Sequence, residues 1–385
     1  MDRVKVCHII TKLELGGAQQ NTLYTVNHLN SEKFEALLVC GSGGLLDKET
    51  ESLKQVKTVF LPSLIRSANP FNDLFSLIKL YRILKSEKPH IVHTHSSKAG
   101  ILGRWAAYFA GVPVIIHTFH GFGFHDFQSW PVKTLFVLIE KVTALISHKL
   151  IVVAKDNIDK ALKHGIGRKE QYMVIRSGIE TKKFASANFD KTALKASLGI
   201  PQNSSVVTTI GPFKPQKNLK DFIAAASLVS SKRPGTVFLV IGDGKQRAEL
   251  ESLISALKLK DAIKLLGWRR DIAELLSVSD IFVLTSLWEG LPRSVLEAMS
   301  SALPVVANSV DGTREIVKDC ESGYLVEPKN PDKTAEKILE LLENPELRSK
   351  MGAFGRELIT TEYDIDFMVR QQEELYSELL SASHS

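Results

Sequence analysis

Short apolar runs rich in β-branched residues alternate with helix-forming stretches along the whole chain, and this alternation restricts the fold more than any other property of the sequence. Val4-Lys5-Val6-Cys7-His8-Ile9-Ile10, Ile91-Val92-His93-Thr94, Pro113-Val114-Ile115-Ile116 and Leu150-Ile151-Val152-Val153 read as buried parallel strands. A second series, with strands expected at 205–210, 237–241, 263–266, 281–284 and 304–307, begins after a polar interval near 181–204. The pattern predicts an α/β fold of two doubly wound domains, 1–188 and 189–363. At 385 residues the chain exceeds one ordinary core, in agreement with two.

One stretch concentrates the chemistry. Between Trp288 and Glu297 the chain reads WEGLPRSVLE, which sets two carboxylates, Glu289 and Glu297, eight positions apart across a Gly-Leu-Pro turn. The run 281–284 before it is strand-like, and 294–299 has helical composition with Pro292 suited to a first turn. The amides of Leu291, Arg293 and Ser294 would then face outward at a positive helix end, a place for a diphosphate, while Glu297 could accept hydrogen bonds from sugar or ribose hydroxyls. Taken alone, the spacing is equally compatible with two acids that merely favour a helix start.

Glycine turns follow the first strand of each series, Leu15-Gly16-Gly17-Ala18 and Ile210-Gly211-Pro212. Neither has the G-x-G-x-x-G spacing, which disfavours a nicotinamide dehydrogenase. The three cysteines, Cys7, Cys40 and Cys320, are widely spaced and suggest neither a disulfide framework nor a zinc site. His93 and His95 have a spacing that could bind a metal, but no carboxylate or third ligand lies near them in the sequence, so no metal is expected. The charged start and the lack of a long uncharged apolar run predict a cytoplasmic protein that does not span a membrane.

The net charge of +6 divides unevenly, +10 over residues 1–184 and −4 over 185–385. The basic half should attract anionic partners. Nucleic acid is disfavoured among them, because no zinc finger, aromatic-basic strand signature or cluster of five basic residues is present. A helix expected over 71–86 carries Phe71, Leu74, Phe75, Ile78 and Tyr81 on one face and Lys79, Arg82 and Lys85 on another. It either packs with its lysines in solvent or lays its basic side against anionic headgroups. A more apolar stretch, 131–147, reads as core or interface rather than as an inserted segment.

Nine segments in order now carry a resemblance: LGGAQQ (15–20), HTHSSKAG (93–100), HTFHGFGF (117–124), VIRSGIE (174–180), IGPFKPQKN (210–218), IGDG (241–244), LGWRRDIAELL (266–276), SLWEGLPRSVLEAM (286–299) and PVVANSVDGTREIV (304–317). Together they resemble the retaining nucleotide-sugar glycosyltransferases of family 4 over nearly the whole chain. The resemblance implies the GT-B fold, two facing Rossmann-like domains with the active site in the cleft. It also implies a final helix, about 364–385, packed back on the first domain.

Position by position, the resemblance implies that Glu297 holds the ribose, that Glu289 and the amides of Gly290, Leu291 and Arg293 hold sugar and diphosphate, and that Lys217 neutralises the departing diphosphate. His120 matches the histidine that reaches the donor sugar, so that His120, Glu289 and Lys217 form the implied catalytic set. Gly16, Gly17, Ser177, Lys214 and Arg269 complete the donor side, and Ser96, Ser97 and Lys98 line the acceptor side. No cofactor or metal is implied, which agrees with the lack of an Asp-x-Asp pair at a strand end. Two departures stand out. Gly211-Pro212 replaces the commoner Gly-Arg, leaving Lys214 as a substitute cation, and Ser177-Gly178-Ile179-Glu180 replaces Asn-Gly-(Ile/Val)-Asp.

The implied activity is transfer of a sugar, with retention, from a nucleotide-diphosphate sugar, expected to be a UDP-sugar, to a hydroxyl of a glycan acceptor. The acceptor is expected to be lipid-linked, in polysaccharide or cell-surface glycan synthesis, with peripheral contact to the inner face of an anionic membrane through the basic first domain. Transfer to a soluble sugar, GT-B nucleotide-sugar epimerisation and non-catalytic nucleotide-sugar sensing are the alternatives.

Overall fold

The computed structural model describes residues 3–53, 55–185 and 189–383. The chain forms two compact units, residues 1–178 with 365–385, and residues 179–364. Residue 188, where the sequence places the domain boundary, lies outside the described residues.

The first unit is built on seven parallel strands: β1 (Val4–Lys12), β2 (Phe34–Gly41), β3 (Val56–Phe60), β4 (Ile91–His95), β5 (Val114–Phe119), β6 (Lys149–Val152) and β7 (Tyr172–Val174), in the order 3-2-1-4-5-6-7. Its helices are α1 (Gly17–His28), α2 (Pro70–Glu87), α3 (Ser97–Ala110), α4 (Trp130–Ala144) and α5 (Asp156–Lys163). The second unit has six parallel strands, β8 (Val206–Ile210), β9 (Val237–Ile241), β10 (Ile263–Gly267), β11 (Ile281–Leu284), β12 (Val305–Asn308) and β13 (Gly323–Val326), in the order 10-9-8-11-12-13. Around them lie α6 (Thr181–Ala185), α7 (Lys191–Ser197), α8 (Leu219–Lys232), α9 (Arg247–Ala256), α10 (Ile272–Ser277), α11 (Arg293–Ser300), α12 (Thr313–Ile316), α13 (Pro331–Glu343) and α14 (Pro345–Glu357). The chain ends in α15 (Ile365–Ser383), which belongs to the first unit and packs on α1 and β5.

Strand alternation sorts the first unit into two cores. Successive residues of β1 point to opposite faces, so Val6 and Ile10 join Met368, Val369 and Tyr376 of α15, while Cys7 and Ile9 join Leu80 and Leu84 of α2 and Ala106 of α3. His8 falls between Val6 and Ile10, on the α15 face, and its register partner on β4 is His93. The sequence sets His93 and His95 two apart; the register adds His8 as a third imidazole, which no local pattern signals.

Two helices depart from expectation. The apolar side of α2 does not pack: Phe71 (86% exposed), Leu74, Phe75 and Ile78 face solvent, and Ser76, Leu80 and Leu84 are buried. In α4, Trp130, Leu135, Leu138 and Val142 are exposed while Glu140 and Thr143 are buried, so the expected core or interface helix is uncovered in the isolated chain. The reason is an inward ion pair. Arg104 of α3, fully buried, donates to Glu140 at 2.6 Å, to the Gly100 carbonyl and to Ser147, which commits the inner face of α4 to polar partners. Glu140→Ala should cost about 3–5 kcal/mol by leaving Arg104 buried and unpaired, whereas the double replacement Arg104→Met/Glu140→Leu should recover most of that loss. Urea midpoints of the two variants check this, and a double variant no better than the single one contradicts it.

Candidate active site

In a doubly wound sheet the loops at the carboxyl ends of the two strands flanking the order reversal diverge and leave a crevice. The second unit reverses between β8 and β11. The loop after β8 carries Lys217 and the loop after β11 carries Glu289, and Lys217 Nζ donates to Glu289 Oε1 at 2.5 Å with both side chains about nine-tenths buried. The lysine stem lies across Gly211, where a Cβ would come within 2.8 Å of Lys217 Cε. Gly242 (φ +135°), at the end of β9, is equally constrained, since a Cβ there would meet the Gly211 carbonyl at 2.0 Å.

Three further residues hold the Glu289 loop, all within segments that carry the resemblance but none singled out there. Asp311 accepts from the Glu289 amide at 2.9 Å, and Gln216 donates to the Trp288 carbonyl at 2.8 Å while its own carbonyl accepts from Leu287. Asn308 donates to the carbonyls of Thr285 and Ser286. Pro292 caps α11 and its carbonyl accepts from Val295, so the helix opens at Arg293, with the positive end of its dipole at that turn. Glu297 is one turn in, buried, and 3.6 Å from Arg293. Burial raises the pKa of Glu297 above the usual carboxylate value and lowers that of Arg293, each partly offset by the other's charge. Hydroxyl donors from a ligand would relieve the same desolvation.

The first unit reverses between β1 and β4. Gly16 caps α1 after β1, and Ser96 caps α3 after β4. Ser96 has φ 61° and ψ 156°, a conformation costing on the order of 1–3 kcal/mol for a non-glycine residue. Its hydroxyl bonds that of Thr11 at 2.7 Å and accepts from the Thr11 amide, which holds the strained turn. His120 lies just past β5. It is only half-buried as a residue, yet its Nδ1 is out of contact with solvent and without a partner. Together with Asn21, Thr118, Arg176 and Ser177 it lines a cavity in this unit, and the Asn21 side-chain amide there also has no partner.

Within each unit, then, the structure gathers several of the residues singled out in the sequence. Lys217, Glu289, Gly290, Leu291, Arg293 and Glu297 surround the β8/β11 reversal, and His120 and Ser177 share the cavity of the first unit. Others are engaged elsewhere. Arg269 is paired in bidentate fashion with Asp271, and Lys98 donates to Asp73 of α2 at 2.6 Å and to the Ser67 carbonyl. Lys214 is half-buried at the start of the turn that carries Lys217, and Ser97 lies against Gly123. The expectation that His93 and His95 lack a third ligand is corrected: His8, His93 and His95 present ring nitrogens within 4.8 Å of one another.

Two Rossmann-like units, with a buried lysine–carboxylate pair and a helix start at the second reversal, define a GT-B glycosyltransferase. The comparisons agree: residues 15–183 match the family described as Glycosyltransferase Family 4, and residues 190–358 that described as Glycosyl transferases group 1. The chain is 36% identical, over 98% of both sequences, to the Escherichia coli UDP-Gal:alpha-D-GlcNAc-diphosphoundecaprenol alpha-1,3-galactosyltransferase. It is 28% identical, over 87% of its own length and 89% of the relative's, to the Campylobacter jejuni N,N'-diacetylbacillosaminyl-diphospho-undecaprenol alpha-1,3-N-acetylgalactosaminyltransferase. Its fold matches that of Anabaena HepE, solved with UDP and glucose, at a TM-score of 0.85 and 20% identity, covering 98% of this chain and 100% of that one. The chain belongs to glycosyltransferase family 4.

Burial pushes the imidazoles of His8 down to about 3 and of His120 down to about 4, and holds His93 and His95 well below their ordinary value. Each stays neutral when folded while the unfolded chain takes up a proton below about pH 6.5, so stability is lost as pH falls through that window. Lowering the pH from 7 to 5 should cost about 2 kcal/mol for each fully buried imidazole. Guanidinium midpoints measured at the two pH values check this, and a flat profile would contradict it.

Proposed function

We propose that this chain transfers a hexosyl group from a UDP-sugar to a hydroxyl of a sugar carried on polyprenyl diphosphate, with retention at the anomeric carbon and without a metal ion. The observation that carries this reading is the 36% identity over 98% of both sequences to an enzyme whose name gives UDP-galactose and a diphosphoundecaprenol-linked sugar. The site supplies the matching chemistry. The uridine diphosphate sits at the start of α11, where the helix dipole and first-turn amides favour an anion. Glu297 accepts from the ribose hydroxyls. Lys217, now bonded to Glu289, turns to the diphosphate as the glycosidic C–O bond breaks and its electron pair passes to the leaving phosphate oxygen; Lys214 adds a second cation. The acceptor hydroxyl attacks the same face of the sugar and its proton goes to that phosphate oxygen, so no protein nucleophile takes part. Glu289 holds the sugar while this occurs, and His120 accepts from a sugar hydroxyl.

The acceptor's lipid accounts for the uncovered helices. α2 and α4 each touch α3; α2 carries the exposed Phe71, Leu74 and Phe75 together with Lys79, Arg82 and Lys85, and α4 carries the exposed Trp130, Leu135 and Leu138. Apolar side chains flanked by lysine and arginine suit the headgroup boundary of an anionic bilayer. Among the described residues, no helix is long and apolar enough to cross a membrane. Peripheral contact at the cytoplasmic face is the arrangement this favours.

Glu289→Gln should lower kcat about a hundredfold while UDP still raises the melting temperature, the loss of an interaction made in the transition state rather than in the ground state. Normal turnover in that variant would remove the role given to its charge. In vesicle sedimentation, Leu135→Glu/Leu138→Glu should reduce binding to phosphatidylglycerol vesicles at least about tenfold, since two apolar anchors become anions at an anionic surface. Unchanged sedimentation would separate the apolar face from the membrane.

A further inference from the structure

The buried histidines that the transfer reaction leaves unused form a continuous hydrogen-bonded chain behind His120. His120 Nε2 lies 3.1 Å from His95 Nδ1, and His95 Nε2 lies 3.0 Å from His8 Nδ1. His8 Nε2 is 3.4 Å from the hydroxyl of Tyr376 on α15, which is 2.6 Å from His93 Nδ1; His93 Nε2 in turn is 2.7 Å from the Thr118 hydroxyl. A neutral imidazole has one N–H and one lone pair, so from His8 through His95 to His120 the direction of any one link sets the direction of the others. That part of the chain has two arrangements of protons, set by whether Tyr376 donates to His8 or accepts from it.

The phenol decides between them. It is the best proton donor in the chain, with an ordinary pKa of about 10, and a donor–acceptor distance of 2.6 Å to His93 is in the range of an O–H donor. Its contacts with Gln372 Oε1 at 3.3 Å and with His8 at 3.4 Å are longer. Tyr376 therefore donates to His93 and accepts from His8 Nε2–H. Followed back, His95 carries its proton on Nε2 and so does His120, which leaves the lone pair of His120 on Nδ1. That is the atom found buried and unpartnered, on a residue that lines the cavity with Asn21 and Ser177.

We propose that Tyr376, His8 and His95 are positioning residues that hold His120 in its Nε2–H tautomer, so that the unpartnered Nδ1 is left bare as an acceptor for a sugar hydroxyl. The hydroxyl's identity rests on the transfer reading above; the tautomer does not. Burial keeps all four imidazoles neutral at physiological pH, so the tautomer rather than the charge is the variable. A metal ion among His8, His93 and His95 is the competing use of the same nitrogens. Tetrahedral coordination at about 2.0–2.1 Å needs nitrogens about 3.4 Å apart and no hydrogen bonds between them, whereas His8 and His95 are already joined.

Long-range proton–nitrogen correlation spectra of the full chain labelled with 15N-histidine test the proposal at pH 7, the His120 signals being assigned by their loss in His120→Gln. The expected wild-type spectrum has one unaveraged state with Nε2 protonated and Nδ1 bare. Tyr376→Phe, which leaves His8 Nε2–H without an acceptor, should move the His120 proton onto Nδ1 or average the two sites. It should also lower kcat about tenfold, the loss of one hydrogen bond to substrate, with KM for the UDP-sugar unchanged. A proton on Nδ1 in the wild type, unaltered His120 signals in Tyr376→Phe, or zinc retained stoichiometrically on these rings after dialysis would each overturn it. Should Tyr376→Phe not fold, the wild-type spectrum decides alone. Because the spectrum requires no substrate, this proposal and the transfer reading can fail independently.

Discussion

A parallel sheet wound to both sides must reverse its strand order once, and the position of that reversal determines everything functional in each unit. At β8/β11 the two departing chains separate, so backbone amides and side chains from both loops converge where no helix covers the sheet end. Lys217 and Glu289 are 72 residues apart in sequence and 2.5 Å apart in space for this reason alone. The pair places opposite charges beside the start of α11, with Glu297 one turn further in. A ligand that is anionic at one end and rich in hydroxyls at the other answers each of these groups in turn.

The first unit uses its reversal differently. There the interior holds polar groups that would be costly unless bonded: four imidazoles in the β-sheet, a guanidinium in α3 and a carboxylate in α4. Arg104 and Glu140 satisfy one another, and the outcome is an α4 turned with its leucines outward. His8, His93 and His95 satisfy one another through Tyr376 and leave a single unfilled nitrogen, on His120. Both departures from an apolar interior thus end at a surface or a cavity that a ligand or a bilayer could complete.

Much of the architecture was legible because parallel strands buried on both faces must be apolar throughout, and runs such as Ile281–Leu284 and Val237–Ile241 have no other reading at that length. Four strands were not among those expected, β2, β3, β7 and β13, although β2 and β13 are apolar runs like the rest. β3 (VKTVF) lies at a sheet edge and is partly exposed, and β7 has three residues, so neither shows a sustained apolar run. In the site, the E-x7-E stretch was visible because both acids belong to one local strand–turn–helix passage. Asp311, Gln216 and Asn308 support that passage from distant segments, and no spacing betrays them. α2 misled because amphipathicity reports that a helix has two faces without saying which one the sheet takes.

The sequence by itself determined two α/β series, the turn between Glu289 and Glu297, and the basic first half, since each follows from local composition and short-range periodicity. The tertiary structure alone decided which distant groups meet: Lys217 with Glu289, Arg104 with Glu140, His8 with His93 and His95, and Tyr376 with His8 and His93. Those contacts depend on strand register and helix packing, which are set by the burial of the whole sheet and not by any one segment, so a chain read locally cannot contain them.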